Sequence, residues 1–211
     1  MSATSVISDI VGEIGAGDHL ILFYDTPENK RRVIFDFLQA GLKEGSRGVY
    51  ISTEESPEQV RMAMEEFGID ARASEERGSL ILRHYDEWYF RHGRCLPNRI
   101  LARWAETYDD ALEMGLSGLS AVAEMSCFFK HRKIPELLRY ENALHRNLQI
   151  PAKAICAYSV TSIVNLGYQK LLTPLIQAHG RAILTGPGGV MLHRPDKIKD
   201  SDIGRLLQIK M

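Results

Sequence analysis

Several features that mark particular classes of protein are missing from this chain of 211 residues. Lys and Arg total 26 against 27 Asp and Glu, so the basic excess of a general nucleic-acid binder is absent. No uncharged apolar run approaches the roughly 20 residues that a membrane span needs. The N-terminal residues also lack the basic start of a signal peptide. The composition therefore predicts a soluble globular protein that contacts neither nucleic acid nor a membrane.

Cysteine is scarce, with only Cys95, Cys127 and Cys156 in the chain. An odd number of widely spaced cysteines does not fit a disulfide framework. We therefore expect reduced thiols and a cytoplasmic location.

Glycine is absent between Gly17 and Gly41, directly after the first apolar run. A P-loop would place G-x-x-x-x-G-K-[ST] there, because glycines let backbone N–H groups surround the phosphates. Here Pro27 even removes one of those donors, so the sequence excludes a standard nucleotide cradle. We interpret Lys30 and its two arginine neighbours as a solvated helix face. The alternative is an anion contact at the start of that helix.

Short apolar runs alternate with helical patterns along the chain, which predicts an α/β protein. The strands are apolar on both faces, as in a mostly parallel central sheet covered by helices on both faces. We expect one domain over residues 1–211, with an amphipathic helix in 1–16 and a C-terminal extension over 194–211. The predicted strands are 19–24, 48–52, 79–82, 119–124, 152–158 and 181–185. The predicted helices are 3–14, 27–44, a segment after Ser56, 98–114, 134–147, 161–178 and 199–207, and residues 186–189 read as a plain turn.

Polar residues at the ends of these strands are the natural candidates for a site, because ligands of such folds bind beyond the carboxyl ends of the strands. Glu54 and Glu55 follow the second strand, where the alternative is an exposed acid pair. Glu124 ends the fourth strand and is the best single candidate, with a structural ion pair as its alternative. Cys156 and Tyr158 share one face of the fifth strand, and Cys156 is favoured as a packed core thiol.

Two cysteine–histidine pairs also invite a metal interpretation. They are His92 with Cys95 and Cys127 with His131. Neither pair has the spacing of an ordinary zinc finger. We predict no metal site and no catalytic residue, and the sequence leaves the cofactor unknown.

Segments in this order resemble the core of RecA/KaiC-type ATPases over residues 20–58. The stretch from about 17 to 193 more closely resembles the MEDS domain, the methanogen/methylotroph sensory domain. The matching motifs are Gly17-Asp18-His19, Phe23-Tyr24, the Glu-rich end of the second strand, Arg91-His92-Gly93-Arg94, Gly118-Leu119 through Glu124-Met125-Ser126, Tyr140-Glu141 and Cys156-Ala157-Tyr158.

This resemblance implies a RecA-like three-layer sandwich that has lost the Walker loop and senses small organic compounds. It implies a ligand pocket at the strand ends, in which Glu124 accepts a hydrogen bond and two tyrosines form walls. The predicted ligand-binding residues are His19, Tyr24, Glu54, Glu124, Ser126 and Tyr158. The family often has Trp where this chain has Cys127 and Asp where it has Ser159, so the ligand is expected to differ.

We therefore predict a non-catalytic, stand-alone sensory or signalling protein. It would bind a small organic ligand and regulate a signalling protein or transcription regulator, or associate with itself through the N-terminal helix. The alternative for that helix is packing on its own domain. The residues before the matched stretch are too few for a helix-turn-helix. The first alternative is a divergent KaiC-like ATPase that uses Glu54, Glu55 and Glu124 with a metal. The second is a structural protein-interaction module.

Overall fold

The computed structural model describes residues 3–147, 150–187 and 189–194. These residues form one seven-stranded sheet in the order β3-β2-β4-β5-β1-β6-β7, parallel except for the antiparallel pairing of β7 with β6. The strands are β1 His19–Tyr24, β2 Arg47–Ser52, β3 Leu80–His84, β4 Leu119–Glu124, β5 Lys153–Ser159, β6 Arg181–Gly186 and β7 Gly189–His193.

Helices connect the strands and cover the sheet on both faces. They are α1 Ala3–Gly12, α2 Pro27–Lys43, α3 Pro57–Phe67, α4 Ala71–Glu76, α5 Tyr85–Trp88, α6 Pro97–Glu113, α7 Ser126–Lys130, α8 Ile134–Asn147, α9 Val160–Asn165 and α10 Leu172–Gln177. None of these described helices has the length and apolar character to cross a membrane.

The alternation of side chains along β1 divides the core into two layers. Leu22 points into the layer packed by α1, α2 and α3, which we call the α2 layer. Phe23 points into the layer packed by α6, α8 and α10, which we call the α8 layer. Both layers are buried and apolar, because a parallel sheet hides both of its faces. The predicted α/β architecture is confirmed.

Local capping fixes where α2 and α3 begin, directly behind the carboxyl ends of β1 and β2. The Thr26 side chain accepts a hydrogen bond from the Asn29 backbone N–H at 3.2 Å, and Pro27 occupies the first turn. Ser56 and Gln59 form a reciprocal capping box at the start of α3. These caps place the first turn of each helix beside the strand ends.

Three sequence-based predictions need correction. The helix expected over 161–178 is broken after α9, where Gly167 has a φ of 75° that only glycine adopts easily. Residues 186–189 lead into β7, so the segment predicted as a plain turn belongs to a hairpin. The first helix ends at Gly12 rather than at residue 14. The helix predicted over 199–207 lies outside the described residues.

Candidate functional site

A buried carboxylate organises the carboxyl ends of β1, β2 and β4 in the α2 layer. Glu124 is fully buried. Its Oε1 accepts hydrogen bonds from Lys30 Nζ at 2.6 Å and from the Tyr50 hydroxyl at 2.5 Å. Its Oε2 accepts the backbone N–H groups of Thr53 at 2.7 Å and Glu54 at 3.1 Å. Four donors therefore occupy the four acceptor positions that a carboxylate offers.

Lys30 supplies the positive charge of this arrangement from the first turn of α2. Its side chain has no exposed surface, so the prediction of a solvated helix face is wrong for Lys30. Lys30 Nζ also lies 3.5 Å from Glu54 and 3.6 Å from Glu55, while the neighbouring Arg31 is 39% exposed and pairs with Glu55. Lys30 points inward because the Glu124 carboxylate, at the end of β4, lies beneath α2 in the same layer.

The two opposite charges stabilise each other's ionised forms. Burial alone would raise the pKa of Glu124, but the charge of Lys30 and the hydrogen bonds from Lys30, Tyr50 and Thr53 lower it below its usual value. Burial alone would lower the pKa of Lys30, but Glu124, Glu54 and Glu55 raise it. Both groups are therefore charged at neutral pH.

Glu54 closes the top of this group and is held much more loosely. Its Oε1 lies 3.3 Å from both the Tyr24 hydroxyl and Ser126 Oγ, which donate to it. Its side chain is 31% exposed, whereas Glu124 below it is fully buried. We call Tyr24, Lys30, Tyr50, Glu54, Glu124 and Ser126 the strand-end cluster.

A second polar group lies inside the α8 layer, on the opposite face of the sheet. It contains His19 at the start of β1, Glu141 on α8, Cys156 and Tyr158 on β5, and His179 just before β6. Four of these five residues are potential metal ligands, and their ligand atoms lie within 4.8 Å of one another: His19, Glu141, Cys156 and His179. We call these five residues the His–Cys cluster.

Contacts within the His–Cys cluster are close. His19 Nε2 lies 3.4 Å from Cys156 Sγ and 3.5 Å from Glu141 Oε2. His179 Nε2 lies 3.4 Å from Glu141 Oε2, and the Tyr158 hydroxyl donates to the other carboxylate oxygen. Burial raises the pKa of Glu141 to about 7, against a lowering effect of the bonds from Tyr158 and Cys156.

The six residues predicted from the sequence therefore fall into two groups. Tyr24, Glu54, Glu124 and Ser126 meet in the strand-end cluster. His19 and Tyr158 lie in the other layer, where both contact Glu141. Their predicted roles in ligand binding remain predictions.

Four further polar residues of these clusters, Lys30, Tyr50, Glu141 and His179, were not among the predicted site residues, and Cys156 was favoured as a packed core thiol. Tyr50 lies within the apolar run of β2. Lys30 was assigned to a solvated face, and His179 carries no local signal. Glu141 was noticed only as part of a family motif. Cys127 and His131 contact other groups: the Cys127 thiol lies 4.0 Å from the Glu124 carbonyl oxygen, and His131 Nε2 lies 3.0 Å from the Tyr85 hydroxyl.

Two open clefts of the described chain lie away from both clusters. One of about 590 Å³ sits beyond the carboxyl end of β3, beside Trp88 and Arg103, and an adjoining one measures about 340 Å³. None of the six predicted residues lines either cleft. The Arg103 guanidinium lies 5.2 Å from the Trp88 ring centroid and donates to the Trp88 carbonyl, so part of this surface is already paired.

Fold comparison defines the class of the protein. A solved KaiC-like protein of the hyperthermophilic archaeon Pyrococcus horikoshii superposes with a TM-score of 0.57 and 18% identity, covering 80% of this chain and 71% of that one. The chain therefore has a KaiC-like RecA fold. This identity is low enough that the similarity concerns the fold alone.

Sequence comparison defines the family. The model of the MEDS domain, described as the methanogen/methylotroph, DcmR sensory domain, matches residues 18–172, and the chain belongs to this family. A UPF0273 protein of Pyrococcus horikoshii is 50% identical over 46 residues, which cover 22% of this chain and 19% of that protein. A UPF0273 protein of Aeropyrum pernix is 46% identical over 44 residues, 21% and 18% of the two chains. The chain thus spans about a fifth of the length of these curated relatives.

Proposed function

We propose that this chain is a non-catalytic sensor of a small organic compound. It binds the compound at the strand-end cluster and signals to a partner protein. The description of its family as a sensory domain supports a sensory role. The observation that carries the proposal is the contrast between the tightly held Glu124 and the loosely held Glu54 above it.

The lysine of the cluster argues against phosphate binding. In P-loop proteins a lysine at the start of the helix after β1 reaches the phosphates. Here Lys30 Nζ is 2.6 Å from Glu124 and has two more carboxylates within 3.6 Å. A polyphosphate would have to displace these carboxylates in a site that is already negative. We infer that the Walker loop is degenerate and that Lys30 pairs with Glu124 instead of contacting a phosphate.

Glu54 is the group that a ligand can replace. Its three contacts in the cluster measure 3.3, 3.3 and 3.5 Å, long for charge-assisted hydrogen bonds, and its side chain is partly exposed. Moving it outward would free the hydroxyls of Tyr24 and Ser126 for a ligand. Glu124 would stay in place as the anchor of Lys30 and of the backbone N–H groups of the loop.

Charge selects the class of ligand. Three carboxylates face the two cations Lys30 and Arg31, so the cluster carries a negative excess. A neutral or cationic molecule with a hydroxyl or amino group matches this better than an anion. Such a group can hydrogen-bond to Glu54 or take its place beside Ser126.

The loop that carries Glu54 offers a route for the signal. Glu54 lies two residues before Ser56, whose capping box begins α3. Displacement of Glu54 would shift this loop and the start of α3, which presents an exposed Met62 to the surface. We propose that this movement changes the binding of a partner. The partner is a signalling protein or transcription regulator, or a second copy of the chain.

A thermal-shift screen with small alcohols, amines and carboxylic acids tests the proposal on the full chain. We expect a member of the alcohol or amine series to raise the melting temperature, with the response lost in Glu54→Gln and Ser126→Ala. Glu136→Gln is the matched control, because Glu136 is 23% exposed and pairs with Lys133 outside the cluster. Its response should equal that of the wild type.

Other outcomes would contradict the proposal. A stabilising response to ATP with Mg²⁺ that depends on Glu54 and Glu55 would favour the divergent KaiC-like ATPase, for which the fold similarity is the supporting observation. A ligand response that survives both cluster variants would move the sensing site elsewhere. Absence of any response across the series would favour a structural interaction module.

A further inference from the structure

The His–Cys cluster brings together four side chains that are all common metal ligands. They come from four separate parts of the chain: His19 begins β1, Glu141 lies on α8, Cys156 lies within β5, and His179 precedes β6. Three of the four are buried, and the His19 side chain is 9% exposed. We propose that these residues form a binding site for one divalent transition-metal ion, with zinc as the preferred metal.

Distances between the ligand atoms support tetrahedral coordination. The measured separations are 3.4 Å from His19 Nε2 to Cys156 Sγ, 3.5 Å from His19 Nε2 to Glu141 Oε2 and 3.4 Å from His179 Nε2 to Glu141 Oε2. Zinc bonds of about 2.0–2.1 Å to nitrogen or oxygen and about 2.3 Å to sulfur give tetrahedral edges of roughly 3.3–3.6 Å. These three separations therefore match tetrahedral edges, and all four ligand atoms lie within 4.8 Å of one another.

Neighbouring hydrogen bonds orient two of the proposed ligands, His179 and Glu141. His179 Nδ1 lies 2.7 Å from the Leu175 carbonyl oxygen, which can only accept, so the proton of a neutral imidazole sits on Nδ1 and Nε2 carries the lone pair. The Tyr158 hydroxyl donates to Glu141 Oε1, and Oε2 is the oxygen that faces the two histidines. Such outer hydrogen bonds orient the ligands of metal sites.

Charge balance gives an independent reason for a cation here. A carboxylate and a thiolate together carry two negative charges, which a divalent ion neutralises in a buried position. The described ion-pair partners of Glu141 are the two histidines, whereas Glu124 in the other layer has a buried lysine. On binding, the Cys156 thiol loses its proton to solvent and a sulfur–metal bond replaces the S–H bond.

The donor set indicates the kind of site. Imidazole, thiolate and carboxylate in a tetrahedral arrangement match zinc, and four protein ligands leave no open position for a substrate. The ion would therefore be structural. It would tie β1 and β5 to α8 and to the segment that enters β6, across the α8 layer.

Cobalt substitution tests the assignment on the full chain. We treat the purified protein with a chelator, remove the chelator and titrate with Co²⁺. We expect one equivalent to give intense visible bands of tetrahedral Co²⁺ and a thiolate-to-cobalt charge-transfer band in the near ultraviolet, both removed by one equivalent of Zn²⁺. Elemental analysis after gel filtration should find about one zinc per chain in protein loaded with Zn²⁺.

Variants locate the site. Cys156→Ser should lose the charge-transfer band, while Cys127→Ser, which alters another buried free cysteine, should keep it. Tyr158→Phe removes only an outer hydrogen bond and should weaken zinc affinity about ten- to hundredfold. His19→Gln provides a second ligand variant at the exposed edge if Cys156→Ser does not fold, and should lose stoichiometric zinc.

Two results would contradict the proposed metal site. Failure of the wild-type chain to retain zinc and to develop tetrahedral cobalt bands would overturn the assignment. A charge-transfer band that persists in Cys156→Ser but vanishes in Cys127→Ser would move the site to the other cysteine. None of these readouts uses the organic ligand, so they stand or fall separately from the sensory proposal.

Discussion

Two glutamates, Glu124 and Glu141, are buried completely on opposite faces of the same sheet, and they differ in their partners and in their pKa values. Glu124 has Lys30 as a cation, and its pKa is lowered. Glu141 faces two histidines and a cysteine, and burial raises its pKa to about 7. A buried carboxylate needs a compensating charge or a proton. Glu124 thus has a buried lysine of the chain as its cation, whereas the described partners of Glu141 are histidines, and it is for this carboxylate that we propose a bound metal ion.

Breaking the internal ion pair should produce the largest effect. Lys30→Met leaves the Glu124 charge buried without its partner, and we expect a loss of about 3–5 kcal/mol in the free energy of unfolding. The double variant Lys30→Met/Glu124→Gln removes both charges and should recover about 2 kcal/mol or more of that loss. Urea denaturation of the two single variants and the double variant measures the coupling.

An exposed pair of the same length serves as the control for this cycle. Lys153 Nζ lies 2.6 Å from a Glu44 oxygen, but the Glu44 side chain is 55% exposed. A Lys153→Met/Glu44→Gln cycle should give a coupling below about 1 kcal/mol, because water screens the pair. Equal couplings in the two cycles would contradict the claim that burial makes the Lys30–Glu124 pair important.

Acid pH should also weaken the Lys30–Glu124 ion pair, with a smaller effect on stability. The folded pKa of Glu124 lies below its unfolded value, so its contribution to stability is present above the unfolded pKa and is lost as pH falls through the folded pKa. The folded pKa of Lys30 is raised, so its contribution is lost only as alkaline pH rises through that value. The groups that face Glu124 are Lys30, Tyr50, Tyr24 and Glu54.

The measurement is the free energy of unfolding of the wild type and of Lys30→Met/Glu124→Gln from neutral to acid pH. We expect the wild type to lose more stability than the double variant below the unfolded pKa of Glu. Parallel curves would show that Glu124 does not titrate with a lowered pKa.

The rim of the strand-end cluster should tolerate change. Glu54→Gln alters contacts of 3.3–3.5 Å on a partly exposed side chain, and we expect a loss of at most about 1 kcal/mol. Thermal and urea unfolding test this value. A loss in the free energy of unfolding comparable to that of Lys30→Met would show that Glu54 is needed for stability. It would contradict the proposal that a ligand displaces Glu54.

The sequence predicted much of the fold because the information is local. The bounds 19–24 and 119–124 of β1 and β4 follow from short, mostly apolar runs, and the Ser56 cap marks the start of α3. Strand β7 was missed because its residues are only half-buried at the sheet edge, where the pattern is weak. The break at Gly167 was missed because apolar residues continue on both sides of it.

The sites were predicted less completely because they depend on which elements meet. Glu124 stood out as a carboxylate at the end of an apolar run. Lys30 did not, since it adjoins two arginines and only the packing of α2 over β4 turns it inward. Cys156 and Tyr158 share a face by simple alternation, but the approach of His179 depends on the order of β5, β1 and β6 in the sheet.

X-ray absorption at the zinc edge of the zinc-loaded full chain tests the comparison most directly. We predict a four-coordinate zinc shell with one sulfur at about 2.3 Å and three nitrogen or oxygen atoms at about 2.0–2.2 Å. The same shell should appear in Cys127→Ser, and the sulfur should be missing in Cys156→Ser. A shell of six oxygen or nitrogen atoms without sulfur in the wild type would show that Glu141 and its neighbours do not take their cation from solution.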